Sequence, residues 1–520
     1  MLFEQVIALE PNPSLPHARL ASALIMKGER SRAREELSKL LSRPERLSLK
    51  DRLNAQAMFA GYTPDWKRAA ELYQRLFELY PDEPEAGLSL MHGQLSAGDP
   101  TAALATLARL RERSPPPVLA VMLDNAEAKA ARMARDFPRA QAAATRAATQ
   151  AETWKDWFSA GVNRSLEADA LYQQGARERA REVLRSAIPL FRRSGHRTAE
   201  ADAIHSLTEM LPEADLRGRL QVAREAKALY AEMSHASGMC MTLLDIAKYE
   251  HLLGELHAAL RSTREALPLC TGTRLPMLEI QGQALVGRVH RGLGALDAAE
   301  ASFREQLRLA RENQHMPEAA RALMELAELS LLRGDLARAR QLHDEARGLP
   351  QKKGRRVLED LEMHQSWLAF EEGHLEEASR LADAAVTTVP ELDVPEAHLL
   401  RVRLFLARAQ SKEANVALLE AGEPAPLLTR LGLRLQGARL RAARGGASER
   451  EAALTSLREL LAQAQKLRWL EGQYEARLAL GEVELAAGRT AAGLARLKTL
   501  EREARKSGWA SWARKAAALR

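Results

Sequence analysis

Leu253-Gly254-Glu255-Leu256-His257-Ala258-Ala259 decides the fold, because its pattern returns three times further along the chain. It returns at Leu293-Gly294-Ala295-Leu296-Asp297-Ala298-Ala299 and at Arg333-Gly334-Asp335-Leu336-Ala337-Arg338-Ala339. The fourth copy is Glu372-Gly373-His374-Leu375-Glu376-Glu377-Ala378. Each copy has a Gly, a Leu two residues later and an Ala five residues later. The glycines at 254, 294, 334 and 373 are spaced by 40, 40 and 39 residues. Gly ends a helix because it takes the left-handed conformation without steric cost. The Leu packs back onto the hairpin, and the small Ala lets the next helix approach closely. A small residue also stands seven before each turn: Ala247, Gly287, Ala327 and Ser366. A further small residue follows on the second helix at Ala266, Ala346 and Ala385, where Gln306 departs from the pattern. Two helices and one tight turn, repeated, make a stacked helical solenoid.

The register extends both ways. Gly28 leads to Ala33, Gly98 to Ala103 and Gly175 to Ala180. Pro64 with Ala69, Arg135 with Ala140, and Ala214 with Arg219 are weaker copies. Near the end Gly481 precedes Gly488 by seven, with Gly493 in place of the Ala. Two degenerate units turn near Ser411 and Ser448. The register then predicts 13 helix pairs at a mean spacing of about 38 residues.

Composition agrees. The 520 residues include 94 Ala and 85 Leu but only 15 Val and 6 Ile. Strong helix formers dominate, and the β-branched residues that favour strands are nearly missing. Charged residues at 28% and hydrophobic ones at 46% exclude both a disordered chain and a membrane-spanning one. No apolar run reaches the length of a transmembrane helix. The net charge of +7 is mild for this length and permits an acidic partner without demanding nucleic acid. Cys240 and Cys270, far apart and outside any C-x-x-C, read as two buried apolar side chains in a reducing compartment. The first residues carry no basic or apolar signal segment, so the expected location is the cytoplasm.

The order Leu-Gly, Gly, Ala, aromatic, Ala, Pro resembles tetratricopeptide repeats over nearly the whole chain. Ala69-x-x-x-Tyr73 ending in Pro81, Ala103 ending in Pro115, and Ala378 ending in Pro390 carry the resemblance. Spacings near 40 exceed that family's usual 34, as in its longer-helix members. Armadillo-like repeats are the competing family. The fold class expected is all-α, an α-α superhelix of tetratricopeptide-like hairpins. The long units also resemble repeat tails of bacterial signalling proteins, whose upstream piece is a winged-helix DNA-binding domain or a Ser/Thr protein kinase domain.

Residues 1–13 align with the second half of a second helix, so a truncated half-repeat is expected there, as from a longer protein. An N-terminal array is expected over 14–150, a central long-unit array over 151–395, and degenerate units over 396–508. Residues 509–520 read as a capping helix that shows its basic face to solvent.

Catalytic patterns are missing from the sequence. His251 and His257 are six apart and His364 and His374 ten apart, so neither pair sits one helical turn apart as zinc ligands. Gly292-Leu293-Gly294 has no preceding strand and fails as a phosphate loop. Glu376 and Glu377 open a helix, where the dipole explains them. No enzyme activity, metal or cofactor is expected.

Binding is the expected role. In the resembled family the first helix of each pair lines the concave surface. Counting thirteen, ten, six and three residues back from each turn then gives the inner face. Gly254 yields Met241, Leu244, Lys248 and His251, and Gly294 yields Gln281, Ala284, Arg288 and Arg291. Gly334 yields Arg321, Met324, Glu328 and Leu331, and Gly373 yields Asp360, Met363, Trp367 and Phe370. Gly175 adds Tyr172. Lys248, Arg288 and Arg291 are placed to pair with carboxylates, and Trp367 with Phe370 to anchor an apolar side chain. The bland alternative is that the aromatics and Met residues fill packing between repeats. Arg430, Arg434, Arg441 and Arg444 fall on one face of a helix, a candidate stripe for nucleic acid or another acidic partner. A solvated helix face is the favoured reading of them, since no aromatics interleave. The expected function is a non-catalytic scaffold for a protein or peptide partner, regulatory or sensory in a bacterial signalling system. Two other classes remain: a transcription-related regulator meeting DNA directly or through a winged-helix partner, and a helical sensor of a small ligand.

Overall fold

The computed structural model describes residues 20, 21, 24, 30–42, 44–63, 65–112, 117–273, 275–349, 355–387 and 395–520. The half-repeat at 1–13, the Gly28 turn and Pro64, Pro115 and Pro390 lie outside the described residues. The chain divides into two compact units, Met1–Ala203 and Ile204–Arg520.

The first unit holds α1 (Arg30–Leu41), α2 (Leu49–Tyr62), α3 (Trp66–Leu79), α4 (Pro84–Ser96) and α5 (Pro100–Arg111). It continues with α6 (Pro117–Met133), α7 (Phe137–Thr153), α8 (Trp157–Gln173) and α9 (Arg177–Ser194). The division between units falls inside α10 (Arg197–Met210). The second unit goes on with α11 (Leu216–Glu232), α12 (Ala236–Leu252), α13 (Leu256–Gly272), α14 (Pro276–Gly292), α15 (Leu296–Glu312) and α16 (Met316–Leu332). Then come α17 (Leu336–Gly348), α18 (Arg355–Glu371), α19 (Leu375–Thr387), α20 (Pro395–Ala407) and α21 (Ser411–Ala421). The last are α22 (Leu427–Arg444), α23 (Ala447–Lys466), α24 (Leu470–Ala486), α25 (Thr490–Lys506) and α26 (Ala510–Ala518). Among the described residues the regular structure is entirely helical, with twelve complete pairs from α2/α3 to α24/α25.

The turn chemistry is that of the repeat. Gly254, Gly294, Gly334 and Gly373 have φ between +74° and +85°. At each, the last turn of the first helix closes with paired bonds. The Gly254 N–H donates to the His251 carbonyl at 2.9 Å, and the Glu255 N–H to the Glu250 carbonyl at 2.8 Å. Arg135 makes the same closure at φ +61°, so the weaker copy keeps the conformation without the glycine. Asp65, Asp99, Asp136 and Asp335 then cap the second helices, each side chain accepting a backbone N–H three residues on.

The small positions leave room for large neighbours. A Cβ on Gly287 would strike the Phe303 ring, and one on Gly481 would meet Leu497 at 2.7 Å. Ser366 is fully buried and its hydroxyl donates to the Ala378 carbonyl at 2.7 Å, joining the two small positions of one hairpin. Gln306 is buried as well, and its Nε2 donates to the Glu318 carbonyl at 3.4 Å.

The second unit winds tightly enough to meet itself. The Gly254 turn lies against Leu427 and Leu428 at the start of α22, the Gly294 turn against Leu470 of α24, and the Gly334 turn against Ala510 of α26. Each contact joins elements five pairs apart, so the superhelix makes one turn in about five pairs. One apolar cluster accordingly combines Leu296, Met324 and Leu342 with Tyr474, Leu497, Trp509 and Trp512.

Two expectations need correction. Cys240 and Cys270 are not free thiols but a disulfide, with Cα atoms 5.2 Å apart. They stand fourteen before and sixteen after Gly254, so the antiparallel hairpin of α12 and α13 brings them face to face. The capping helix does not turn its whole basic face to solvent. Arg514 is exposed, but Lys515 points inward and meets Glu371 at 2.6 Å.

Candidate functional site

The inner faces of the second unit's first helices form two distinct spaces. The first is a groove of about 600 Å³ along α12, α14, α16 and α18. Leu244 and Lys248 line it from α12, and Gln281, Ala284 and Arg288 from α14. Arg321 and Met324 follow from α16, and Asp360 with His364 from α18. The groove is polar and largely self-neutralised. Arg321 pairs with Glu318 at 2.6 Å and Asp360 at 3.4 Å, and Arg288 approaches Glu325 at 3.5 Å. His205 bonds Asp245 at 2.7 Å. Lys248 is exposed and has no carboxylate partner among the described residues; its ammonium sits 5.7 Å from the Tyr249 ring.

The second space is a chamber of about 290 Å³ lined by α16, α18, α20, α22, α24 and α26. Leu331, Leu332, Trp367 and Phe370 form one apolar wall, and Leu478, Trp512 and Leu519 face them. Trp367 and Phe370 meet edge to face at 6.0 Å. Arg403 lies 5.1 Å from the Trp367 ring, and Lys515 lies 4.9 Å from Trp512 and 5.9 Å from Phe370. The exposed Ala407 and Ala518 mark its mouth.

Ion pairs line this chamber. Arg403 meets the buried Glu475 at 2.6 Å, and Gln436 donates to the same carboxylate at 2.8 Å. Arg439 holds Glu482 through two bonds of 2.9 Å. Glu371 receives Lys515 at 2.6 Å and the Ser511 hydroxyl at 3.0 Å. Arg291 pairs with Glu325 at 3.0 Å and also with Glu328. Burial works against the Arg291 charge, but Glu328, Glu325 and Glu471 outweigh it and hold the guanidinium pKa above its ordinary value. Glu471 has neither an ion pair nor a hydrogen bond among the described residues. Burial raises its pKa; Glu328 and Glu475 add to the rise, while Arg403 and Arg291 oppose it.

The predicted residues thus separate. Lys248 and Arg288 face the open groove, whereas Glu328, Trp367 and Phe370 face the chamber. Arg291 is turned onto Glu325 and Glu328 and commits its charge within the chain. His251 is pushed down to about 3 by burial and then by Arg288 and Arg291, and its Nδ1 is buried without a partner. Tyr172 is half-buried on α8 in the first unit. On α22, Arg434, Arg441 and Arg444 edge a shallow outer hollow, where Arg441 approaches Glu449 at 3.8 Å. Arg430 is half-buried, and Arg439 of the same helix points into the chamber.

The residues missed were those across the chamber. The same count would have found three of them: Glu475, Leu478 and Glu482 stand thirteen, ten and six before Gly488. Arg403 stands six before Ala409, which takes φ +57° where a glycine was the cue. Among the described residues no three His, Cys, Asp or Glu side chains are grouped to hold a metal, and no helix is long and apolar enough to cross a membrane.

No protein-family model and no curated protein matches the chain. Solved structures do. The chain is similar to the apo form of RapI, with a TM-score of 0.52 at 11% identity over 65% of this chain and 97% of that one. A Rap protein complexed with competence and sporulation factor aligns at TM-score 0.44 and 13% identity, over 68% and 99% of the two chains. A signal transduction ATPase with a tetratricopeptide repeat sensor, from Pyrococcus horikoshii, aligns at 0.40 and 16%, over 68% and 52%. The likeness at these identities is one of fold. The chain is an all-α superhelix of tetratricopeptide-like helical hairpins.

Proposed function

We propose that the chain is a non-catalytic regulatory scaffold that binds a protein or peptide segment in the groove of α12, α14, α16 and α18. One observation carries this reading. Four successive first helices present polar side chains to one continuous space, and Lys248 there lacks a carboxylate partner among the described residues. Packed helices lie about 10 Å apart, so crossing four of them takes roughly 30 Å, or about nine extended residues. An extended segment would meet one set of side chains per helix. An acidic residue opposite Lys248 would gain a charge-assisted bond without breaking an existing pair.

The test is selection of a random peptide library on the purified chain, followed by titration of the enriched peptides. Enriched peptides should carry an acidic residue and lose about tenfold or more in affinity on Lys248→Glu with Arg288→Glu. Far-UV circular dichroism should show unchanged helicity. No enrichment, or equal affinity for the double variant, would remove the groove as the site.

A further inference from the structure

The chamber has a chemistry of its own. Its apolar walls are aromatic and aliphatic, and each of its lining charges but one is in an ion pair. Arg403 is matched by Glu475, Arg439 by Glu482 and Lys515 by Glu371, while Glu328 is matched by Arg291. Glu471 remains unmatched on the same lining.

We infer that the chamber binds a small apolar amine whose ammonium meets Glu471 and whose apolar body rests among Trp367, Phe370 and Trp512. Size supports a small group. A helix with side chains is about 10–12 Å across and would not fit a space of about 290 Å³, whereas one aromatic or aliphatic side chain does. Charge supports a cation. An anion would meet the surplus carboxylate, and a neutral ligand would leave Glu471 facing an apolar body without a partner. An ammonium on an apolar side chain answers both features. Two sources carry that chemistry: a free amino-acid-like amine and the amino terminus of a peptide beginning with an apolar residue.

Three probes test this on the full chain by calorimetric titration: L-phenylalaninamide, its N-acetyl derivative, and the amide of the peptide Phe-Gly-Gly. L-Phenylalaninamide should bind, and acetylation should weaken binding about tenfold or more by removing the cation. Glu471→Gln, which keeps the shape, should weaken L-phenylalaninamide by a similar factor with helicity retained. Comparable or tighter binding of the peptide amide assigns the chamber to peptide amino termini, and its exclusion assigns it to free amines. Lys248→Glu with Arg288→Glu should leave amine binding unchanged, so the groove and the chamber stand or fall separately. Absence of amine binding, equal binding of the acetylated probe, or an unaltered Glu471→Gln titration would overturn the assignment.

Discussion

Gly294→Ala tests the self-contact of the superhelix, because its cost divides into two parts that a control separates. The backbone part is general. Gly294 has φ +84°, and an L-residue there costs about 1–2 kcal/mol, offset by up to about 1 kcal/mol from reduced freedom of the unfolded chain. Gly373 has φ +85° and open space where its Cβ would be, so Gly373→Ala pays only that part, about 1 kcal/mol net. A Cβ on Gly294 would also overlap the Leu470 side chain, with Leu470 Cβ itself at 3.1 Å. That last atom is fixed to the backbone, so rotating the side chain does not clear the site. Overpacking of this kind adds about 1–3 kcal/mol. Gly294→Ala should therefore destabilise the second unit by about 2–4 kcal/mol, against about 1 for Gly373→Ala. The assay is urea unfolding followed by tryptophan fluorescence, which reports the buried Trp469, Trp509 and Trp512. Repeat arrays need not unfold in one step, so the transition sensed by these residues is the one to compare. In a Leu470→Gly background the cost of Gly294→Ala should fall to that of Gly373→Ala. Equal costs for the two alanines in the native background would mean that the Gly294 turn and α24 do not touch in solution.

Glu475→Ala should cost about 3–5 kcal/mol by the same assay, because Arg403 and Gln436 are left buried without their acceptor. Replacing both Arg403 and Glu475 with Met should cost less than Glu475→Ala alone, and an equal or larger loss would contradict the buried-pair account. His343 on α17 has both ring nitrogens buried without a partner, and burial followed by Arg347 pushes it down to about 4. The unfolded chain takes up that proton near pH 6.5 and the folded chain does not, so stability falls as pH drops from about 6.5 to about 4. His343→Leu should raise stability at pH 7 by about 1–2 kcal/mol and make this slope shallower; an unchanged slope of the urea midpoint between pH 7 and pH 5 would refute it.

The hairpins were legible because each turn writes its requirement into single residues. A position with φ near +80° selects Gly, and a helix crossing selects Ala or Gly, so Gly254 with Ala259 and Gly294 with Ala299 read plainly. Where Arg135, Ala409 or Arg468 adopts positive φ instead, the cue fades though the turn persists. The winding of the superhelix was not legible. It is the sum of small rotations between pairs, and no single residue encodes the contact of Gly254 with Leu427. The disulfide was missed for a related reason. The spacing of Cys240 and Cys270 becomes meaningful only once both are measured from the turn that folds one helix onto the other.

The same winding explains why one inner surface yields two kinds of site. Positions six to thirteen before a turn stay in the groove on α12 and α14 and as far as Met324 on α16, whereas Glu328 and Trp367, six before theirs, already face the chamber. Leu244, Lys248, Ala284, Arg288, Arg321 and Met324 are the side chains that stay in the open groove. Residues three before a turn lie at the edge that the next superhelical turn covers. Arg291 there meets the field of Glu471, and Leu331 and Phe370 become chamber wall. A ligand in the chamber would therefore touch both turns of the superhelix at once, through Trp367 and Phe370 on one side and Glu471 and Trp512 on the other. Binding at a hundred times the dissociation constant stabilises the bound form by about 2.7 kcal/mol. Here that energy would fall on the contact between α16 or α18 and α24 or α26, which is the contact that closes the winding.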